Sequence, residues 1–388
     1  MSLASLVAAV PAGAVTITIA DTDTVGEGFN DPTPAAPVGG NPGTTLGAQR
    51  LFLFQYAADV WSMRLGGDVE VLVAASFENL GGTAVSAVLG SAAPTTVHNN
   101  FNGRPLNDTW YVVALANQFF GDDLNDLNPS SCPYPLVGGS CPEIDAQFNS
   151  AVDNQTVLGA TDFYYGIDGK RGSDIDFLSV VLHEIGHGLG VLDLLDGETG
   201  DLFLGEPDAY MIWLEDPTIT PKDLTSMSEL QRKSAMRDMG DLVWVGPTVK
   251  AESGSLNAGR RGDGAVEIYA PTTYQPGSSV AHFSTSLSPD DLMEPFAVAA
   301  YRDLDLTLAM LDDIGWQTFP TADCGDANDD DNVTAADALF ALKAAVGSLE
   351  CSEIVCDVNF SGGVNSADAL VLLKSAVGQA ISLVCPLI

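Results

Sequence analysis

The sequence repeats itself near its C-terminal end, and this repeat limits what that end can fold into. The segment DANDDDNVTAAD, residues 326–337, is followed by ALFALKAAVG and recurs 31 residues later as DVNFSGGVNSAD, residues 357–368, followed by ALVLLKSAVG. A match over 22 positions indicates two copies of one structural unit, a polar loop followed by a helix. A short linker, residues 317–323, precedes this tract.

The loops of both copies have the spacing of a calcium site. Oxygen-bearing residues occupy loop positions 1, 3, 5, 9 and 12, and a backbone carbonyl is available at position 7, which suits a hard cation. The entering segments are too short to be helices, and the twelfth residue is Asp rather than Glu, so we predict half-motifs with exiting helices only. The predicted ligands are Asp326, Asn328, Asp330, Asn332 and Asp337 for the first Ca²⁺, and Asp357, Asn359, Ser361, Gly363 and Asp368 for the second.

Paired loop-helix units of this kind resemble a type I dockerin over essentially all of residues 324–388. The resemblance implies two units packed antiparallel around paired calcium ions, docking onto a cohesin-like scaffold protein. Loop positions 10 and 11, which read the partner in dockerins, hold Ala335-Ala336 and Ser366-Ala367, so the partner's identity stays open. A calcium-stapled stability domain without a partner is the alternative. Apolar residues at helical spacing are expected to bury the two helices against each other: Leu339, Leu342, Val346, Leu370, Leu373 and Val377.

A second motif, HEIGH at residues 183–187, lies inside a helical pattern that runs from Asp176 to Leu189. Residues four apart share a helix face, so His183 and His187 can bind one Zn²⁺. Glu184 falls beside that point, where it could take a proton from a zinc-activated water as general base. The pattern therefore predicts a catalytic zinc site.

Three glycines in the same helix support a functional reading. Gly186, Gly188 and Gly190 fall within six residues, and each costs about 1 kcal/mol relative to Ala in a helix. We expect Gly186 and Gly188 to let other backbone pack close to the helix, and Gly190 to end it in a left-handed conformation. Such breaches of local rules are typical of functional sites.

A tetrahedral catalytic zinc needs a third protein ligand, and the sequence offers two candidates. Asp193 completes the pattern HExxHxxGxxD, and His282 lies eleven residues before Met293 in AHFSTSLSPDDLMEP. Imidazole is the commoner zinc ligand, which favours His282 and leaves Asp193 as the alternative.

HEIGHGLG together with LMEP resembles the metzincin zinc peptidases, whose zinc helix ends at a glycine and whose later methionine turn lies beneath the metal. A distant histidine that closely precedes the methionine is similar to leishmanolysin. The resemblance implies that His282 is the third ligand and Met293 the turn methionine. Pro295 follows the turn where astacin-like enzymes carry a metal-binding tyrosine, so no side chain is assigned to stabilise the oxyanion.

The cysteines and the charge indicate the compartment and exclude some partners. Six cysteines with no CxxC pair favour disulfides and a secreted, extracellular or cell-surface protein. A net charge of -37 excludes a nucleic-acid partner, and no apolar run reaches the roughly 18 residues of a membrane span. Residues 3–14 are either a signal-peptide remnant or part of a first strand that continues through residues 15–20. The first favoured disulfide is Cys132–Cys141. The last four cysteines allow three pairings, of which we favour Cys324–Cys385 together with Cys351–Cys356.

The predicted fold class is α+β: a metzincin-like zinc peptidase domain at residues 15–319, then a small all-α dockerin-like module at residues 324–388. In the first domain, a mixed sheet and the zinc helix form an upper unit that ends near Gly190, and a smaller lower unit follows to Phe319. Residues 1–14 are the possible signal remnant. The main elements predicted are helices Thr45–Trp61, Ser226–Met239 and Leu304–Ile314 and strands Val69–Phe77 and Phe163–Gly166.

The predicted function is a secreted zinc endopeptidase that hydrolyses protein or peptide substrates. The alternative is a non-catalytic surface or adhesion protein that uses a peptidase fold for binding and keeps the calcium-stapled module. The intact HExxH motif favours the enzyme, because loss of the glutamate is the simplest route to an inactive one.

Overall fold

The computed structural model describes residues 13–385 except 128, 129, 131, 155, 302, 303, 320–323, 329–331, 350, 352, 360, 362, 380, 382 and 384. Most of the possible signal segment, residues 1–12, therefore lies outside the described residues, and a strand begins at Ile17. Two separate hydrophobic cores divide the chain, one within residues 15–316 and one within residues 324–385. The mixed α+β class is confirmed.

The strands and helices follow in chain order. The strands are β1 (Ile17–Asp21), β2 (Leu65–Gly66), β3 (Val71–Glu78), β4 (Gly90–Pro94), β5 (Val97–His98), β6 (Tyr111–Val112), β7 (Ile144–Asn149), β8 (Phe163–Tyr164), β9 (Ile175–Asp176), β10 (Leu214–Glu215), β11 (Val243–Trp244), β12 (Val266–Glu267) and β13 (Gln317–Thr318). The α-helices are α1 (Leu46–Arg64), α2 (Val113–Phe120), α3 (Phe177–Leu189), α4 (Glu229–Ala235), α5 (Pro247–Glu252), α6 (Asp305–Ile314), α7 (Ala335–Ala345), α8 (Glu353–Cys356) and α9 (Ser366–Ala376). The 3₁₀ turns include Gly28–Asn30, Val152–Asn154, Phe203–Gly205, Met211–Trp213, Leu224–Ser226 and Ser253–Ser255.

A four-stranded mixed sheet with the order β1-β3-β7-β4 forms the frame of the first unit. β1, β3 and β7 are parallel, and β4 pairs antiparallel with β7 at one edge. Helices α1 and α3 pack against each other and against this sheet. Phenylalanines fill the space between them, with ring centroids 5.0 to 5.7 Å apart, among them Phe29, Phe54, Phe77, Phe148, Phe163 and Phe177.

The ends of α3 are fixed by local hydrogen bonds. Asp176 is the N-cap, and its Oδ1 accepts from the backbone N–H of Ser179 at 2.9 Å, so one of the unpaired donors of the first turn is satisfied. Gly190 ends the helix at φ 129°, as predicted. Trp316 Nε1 donates to the Leu189 carbonyl at 2.8 Å, which satisfies an acceptor of the last turn.

The later part of the first unit is built on a small antiparallel sheet with the order β10-β11-β12. The prediction of a separate lower unit that continues to Phe319 is wrong in one respect. Near the end of this stretch, β13 pairs with β2 of the earlier part of the chain. One continuous core also runs through both halves. The predicted helix Ser226–Met239 is shorter than expected: α4 covers Glu229–Ala235, and Ser228 and Gln231 form a capping box at its start.

In the C-terminal module, α7 and α9 pack against each other, but through small residues. The buried side chains include Ala338, Ala341, Ala369 and Leu372. The prediction that the larger apolar residues bury these helices is wrong. Their side chains are exposed, by 42 to 69%: Leu339, Leu342, Val346, Leu370, Leu373 and Val377. A short helix, α8, also precedes the second loop, where no entering helix was expected.

All three favoured disulfides are confirmed: Cys132–Cys141, Cys324–Cys385 and Cys351–Cys356. The second joins the two ends of the C-terminal module, and the third closes a short loop before the second repeat. Disulfides are consistent with a secreted protein. Within the described residues, no helix combines the length and apolar character needed to span a bilayer.

The close packing of Gly188 gives a test of how α3 is seated. A Cβ on Gly188 would lie 2.5 Å from Cγ2 of Ile144 on β7, so the neighbour is a side chain rather than the backbone we expected. Overpacking should outweigh the gain in helix propensity, so Gly188→Ala should lower the free energy of unfolding by roughly 1 to 2 kcal/mol. Urea unfolding measures this loss.

The matched control is Gly254→Ala, where an added Cβ meets nothing within 4 Å. In an Ile144→Ala background, the clash is gone and Gly188→Ala should cost nothing or stabilise. An equal loss in both backgrounds would contradict this packing argument.

Candidate metal centres

Three imidazoles meet at one point in the first unit. His183 and His187 project from neighbouring turns of α3, and His282 comes from a segment 95 residues beyond His187. The three Nε2 atoms lie 3.0 Å (His183 to His187), 3.1 Å (His183 to His282) and 3.2 Å (His187 to His282) apart. In the part of the chain that the structure describes, this is the one group of three or more His, Cys, Asp or Glu residues whose ligand atoms all lie within 4.8 Å of one another.

The other ring nitrogen of each histidine contacts a backbone carbonyl. His183 Nδ1 lies 2.8 Å from the Leu292 oxygen, His187 Nδ1 2.6 Å from that of Val191, and His282 Nδ1 2.8 Å from that of Ser278. A carbonyl only accepts, so each Nδ1 carries the proton and donates it. Each Nε2 then presents a lone pair to the common point. These orienting carbonyls had no sequence signal, because any residue type provides one.

The histidine cluster fits a zinc ion. Zn–N bonds of about 2.0 to 2.1 Å in a tetrahedral site place the ligand nitrogens about 3.3 Å apart, close to the distances seen here. Burial lowers the pKa of all three imidazoles, and for His187 to about 3, where the charge of His183 adds to the effect. The rings are therefore neutral at pH 7, which is the form that binds metal.

Backbone pairing brings His282 and Met293 to α3. Tyr269, just beyond β12, donates its N–H to the His282 carbonyl at 2.9 Å, and Phe283 donates its N–H to the Met293 carbonyl at 2.9 Å. Met293 is fully buried, and its Sδ lies 3.1 Å from the point where a Cβ on Gly186 would sit. The predicted turn methionine thus lies against α3, at the turn that carries His183 and His187.

Glu184 is buried beside the cluster. A Cβ on Gly90 of β4 would lie 3.0 Å from Glu184 Cγ and 3.1 Å from its Oε1, so the side chain lies against this edge strand. Burial raises the pKa of Glu184 to about 8, and a hydrogen bond from the Ala92 backbone opposes that shift. A cation held by the histidines would lower this pKa again.

Asp193, the alternative third ligand, is not part of the histidine cluster. Its Oδ1 accepts from the Leu195 backbone N–H at 3.0 Å. Burial and the neighbouring charge of Asp208 raise the pKa of Asp193 to about 8. The chain after Gly190 therefore places this carboxyl near Asp208, and His282 is the third member of the histidine cluster.

The two repeat loops have the same internal bonding. In the first, Asp337 Oδ1 accepts from the Asn328 N–H at 3.1 Å, and its Oδ2 accepts from the Thr334 N–H at 2.7 Å. In the second, Asp368 makes the same pair of bonds with the N–H groups of Asn359 (3.3 Å) and Asn365 (2.9 Å). The twelfth loop residue thus caps the exiting helix and reaches back across the loop.

Most of the predicted calcium ligands are placed around these loops. Asp326, Asp337, Asp357 and Asp368 are buried, Asn328 and Asn359 are half-buried, and Asn332 and Ser361 are exposed. Gly363 donates its N–H to Asp357 Oδ2 at 3.1 Å. Asp330 lies outside the described residues.

The buried oxygens of both loops fit a calcium ion. In the first loop, Asn328 Oδ1 is buried without a hydrogen-bond partner among the described residues. In the second, burial and then the charge of Asp357 raise the pKa of Asp368. Uncompensated buried oxygens and clustered negative charge are what a bound Ca²⁺ would neutralise.

Comparison with known families bears on the C-terminal module. Residues 324–375 match the dockerin type I domain, and the match contains both loops, α7, and α9 up to residue 375. The module is therefore a type I dockerin, a domain that binds calcium and whose presence implies a cohesin partner. A search of curated proteins gave no match to the chain.

The geometry of the histidine cluster predicts the effect of removing each candidate ligand. His282→Ala removes one of the three converging nitrogens, so zinc affinity should fall by more than the 10- to 100-fold typical of outer-shell changes. Zinc per chain, measured by elemental analysis after dialysis, reports this loss. Asp193→Asn should keep the wild-type zinc content.

His98→Ala is the matched control, because His98 lies on β5 with its Nε2 3.1 Å from Thr96 Oγ1 and is not part of the cluster. The His98 side chain is half-buried on this strand. Zinc retained by His282→Ala and lost by Asp193→Asn would reverse the ligand assignment.

Proposed function

We propose that residues 15–319 form a zinc-dependent endopeptidase and that the dockerin attaches it to a cohesin-bearing partner outside the cell. The observation that carries the proposal is the convergence of three neutral imidazoles beside a buried glutamate on the same helix. The sequence resemblance to metzincins supports the same reading. No carboxylate or thiol belongs to the histidine group in the described residues, which suits an open zinc site with three protein ligands.

The residues would divide the work as follows. His183, His187 and His282 would hold the ion, with their orientation fixed by the three backbone carbonyls. A zinc ion there would polarise a peptide carbonyl and lower the pKa of a water molecule. Glu184 would accept the proton of that water and deliver it to the leaving amine. Its burial favours this role, because a desolvated carboxylate has a raised affinity for a proton.

The edge strand β4 offers a place for an extended substrate. Of the strands that the structure describes, β4 pairs with β7 alone, so no described strand covers its other edge. A peptide that adds to this edge gains main-chain hydrogen bonds whatever its sequence. It would run past Gly90 and Ala92, which lie against Glu184, so its backbone would pass the proposed base.

Glu184→Gln tests the catalytic assignment. The amide is nearly isosteric and cannot accept the proton, so the variant should keep its zinc while cleavage falls by roughly 10²- to 10⁴-fold. Zinc content and cleavage of casein or a broad peptide library are measured on the same preparations. Glu198→Gln, an exposed glutamate, is the control and should cleave like wild type.

Undiminished cleavage by Glu184→Gln would refute its role as base. If zinc-loaded wild type cleaves no substrate in the library, and a zinc chelator changes nothing, the result favours the non-catalytic binding protein instead. The two results are separable, because the first concerns one residue and the second the whole unit.

The exposed apolar residues of the dockerin suggest where its partner binds. Leu339 and Leu342 on α7 correspond to Leu370 and Leu373 on α9, 31 residues later. Leucine side chains exposed at matching places in both repeats form two equivalent apolar stripes. Exposed patches of this kind mark protein-binding surfaces, so we assign these stripes to cohesin docking.

Binding to a panel of recombinant type I cohesin modules tests the docking surface. Because the repeat supplies two equivalent stripes, each single variant, Leu339→Glu or Leu370→Glu, should still bind cohesin through the unchanged stripe. The double variant should weaken binding at least 100-fold, since a charge cannot be buried in the apolar contact. Calorimetry or surface capture measures the affinity, and EGTA should abolish it in every variant.

Gln379→Glu, which adds a charge at an exposed site after α9, is the control and should bind like wild type. If the double variant binds its cohesin as tightly as wild type, these stripes are not the docking surface. If no cohesin in the panel binds wild type, the module serves as a calcium-stapled stability domain.

A further inference from the structure

A buried carboxyl group in the first unit has an oxygen without a partner. Asp216 lies directly after β10 and is fully buried. Its Oδ1 accepts from the backbone N–H of Thr218 at 2.9 Å and from the Thr218 hydroxyl at 2.6 Å. Its Oδ2 is buried and has no hydrogen-bond partner among the described residues. An unsatisfied buried carboxylate oxygen is costly, by about 1–3 kcal/mol or more.

A second carboxyl group, that of Asp238, approaches the same Thr218 hydroxyl that bonds Asp216. Asp238, in the turn after α4, places its Oδ2 3.4 Å from Thr218 Oγ1. Partial burial, the charges of Asp216 and Asp241, and a close side-chain contact with Asp216 raise the pKa of Asp238. The carboxyl groups of Asp216 and Asp238 therefore lie close together and repel one another when both are charged. The structure thus holds two carboxylates around one hydroxyl oxygen.

The nearby basic side chains are committed elsewhere. Lys222, on the same loop as Asp216, donates to Glu215 Oε2 at 2.7 Å. Arg261 pairs with Asp241 at 3.5 Å. Within the described ranges, neither Asp216 nor Asp238 belongs to an ion pair.

We propose that Asp216, Thr218 and Asp238 form a calcium site in the first unit, separate from the dockerin loops. Carboxylate and hydroxyl oxygens are the hard ligands that Ca²⁺ prefers, and no nitrogen or sulfur ligand is needed. The ion would bind the unpartnered Asp216 oxygen and cancel the repulsion between the two carboxylates. Water completes its coordination on the half-exposed side of Asp238.

The position of this site connects it to the sheet that supports His282. Asp216 follows β10, and Asp238 precedes β11, so an ion between them joins the segments next to two paired strands. β11 pairs with β12, and the chain after β12 hydrogen-bonds the His282 segment through Tyr269. The calcium ion would therefore stiffen the sheet next to the segment that carries the third histidine.

Counting calcium ions on the full chain tests the site. At about 1 mM free calcium, the range in which extracellular sites bind, wild type should hold three ions per chain, two of them in the dockerin. Asp216→Asn and Asp238→Asn should each hold two. Native mass spectrometry and calorimetric titration with CaCl₂ after EGTA treatment give the count. Asp223→Asn, the same charge change on the same loop, is the matched control and should hold three.

A variant with both dockerin loops disabled, Asp326→Asn with Asp357→Asn, isolates the new site and should hold one ion. Two ions in wild type and none in this loop variant would overturn the proposal and leave a hydrogen bond between a protonated Asp238 and Asp216. If Asp216→Asn fails to fold, the number of bound calcium ions is still tested by Asp238→Asn, which changes a half-exposed residue, and by the loop variant.

Discussion

Three lone pairs pointing at one another are the constraint on which the first unit depends. Each imidazole of the cluster donates its Nδ1 proton to a backbone carbonyl, so the three Nε2 atoms face one another at 3.0 to 3.2 Å with no proton between them. Lone pairs at that distance repel unless a cation sits among them. The three carbonyls come from separate segments, so the ion proposed there would also bind distant parts of the chain together.

The fold around the cluster gives up local stability to reach this arrangement. Glycine at position 186 admits Met293 beside α3, and glycine at position 188 admits Ile144 from the central sheet. Each glycine lowers helix stability by about 1 kcal/mol relative to alanine. The apolar area buried by close packing of the helix against the sheet offsets this loss. The buried Glu184 adds a further cost, since a desolvated carboxylate is unfavourable until a cation lies beside it.

The sequence predicted those parts of the molecule that follow from local chemistry. The helix with its two histidines, its start near Asp176 and its end at Gly190 is set by nearby residues, as are the repeat loops and the short-range disulfides. The place of Asp193 could not be read from its spacing, because it depends on the direction of the chain after Gly190 and on Asp208. The burial of apolar residues in the dockerin was also misread, since helical periodicity marks an apolar face but not what covers it.

The dockerin places small side chains between its two main helices and larger apolar side chains on its surface. α7 and α9 meet through Ala338, Ala341 and Ala369, which allow two short helices to approach closely. Leucines in place of these three alanines would separate the helices and pull apart the loops that each helix follows. The buried acids and the disulfide between Cys324 and Cys385 can hold so small a core together once calcium is bound. The larger apolar side chains are then free to face outward, where a partner can bury them.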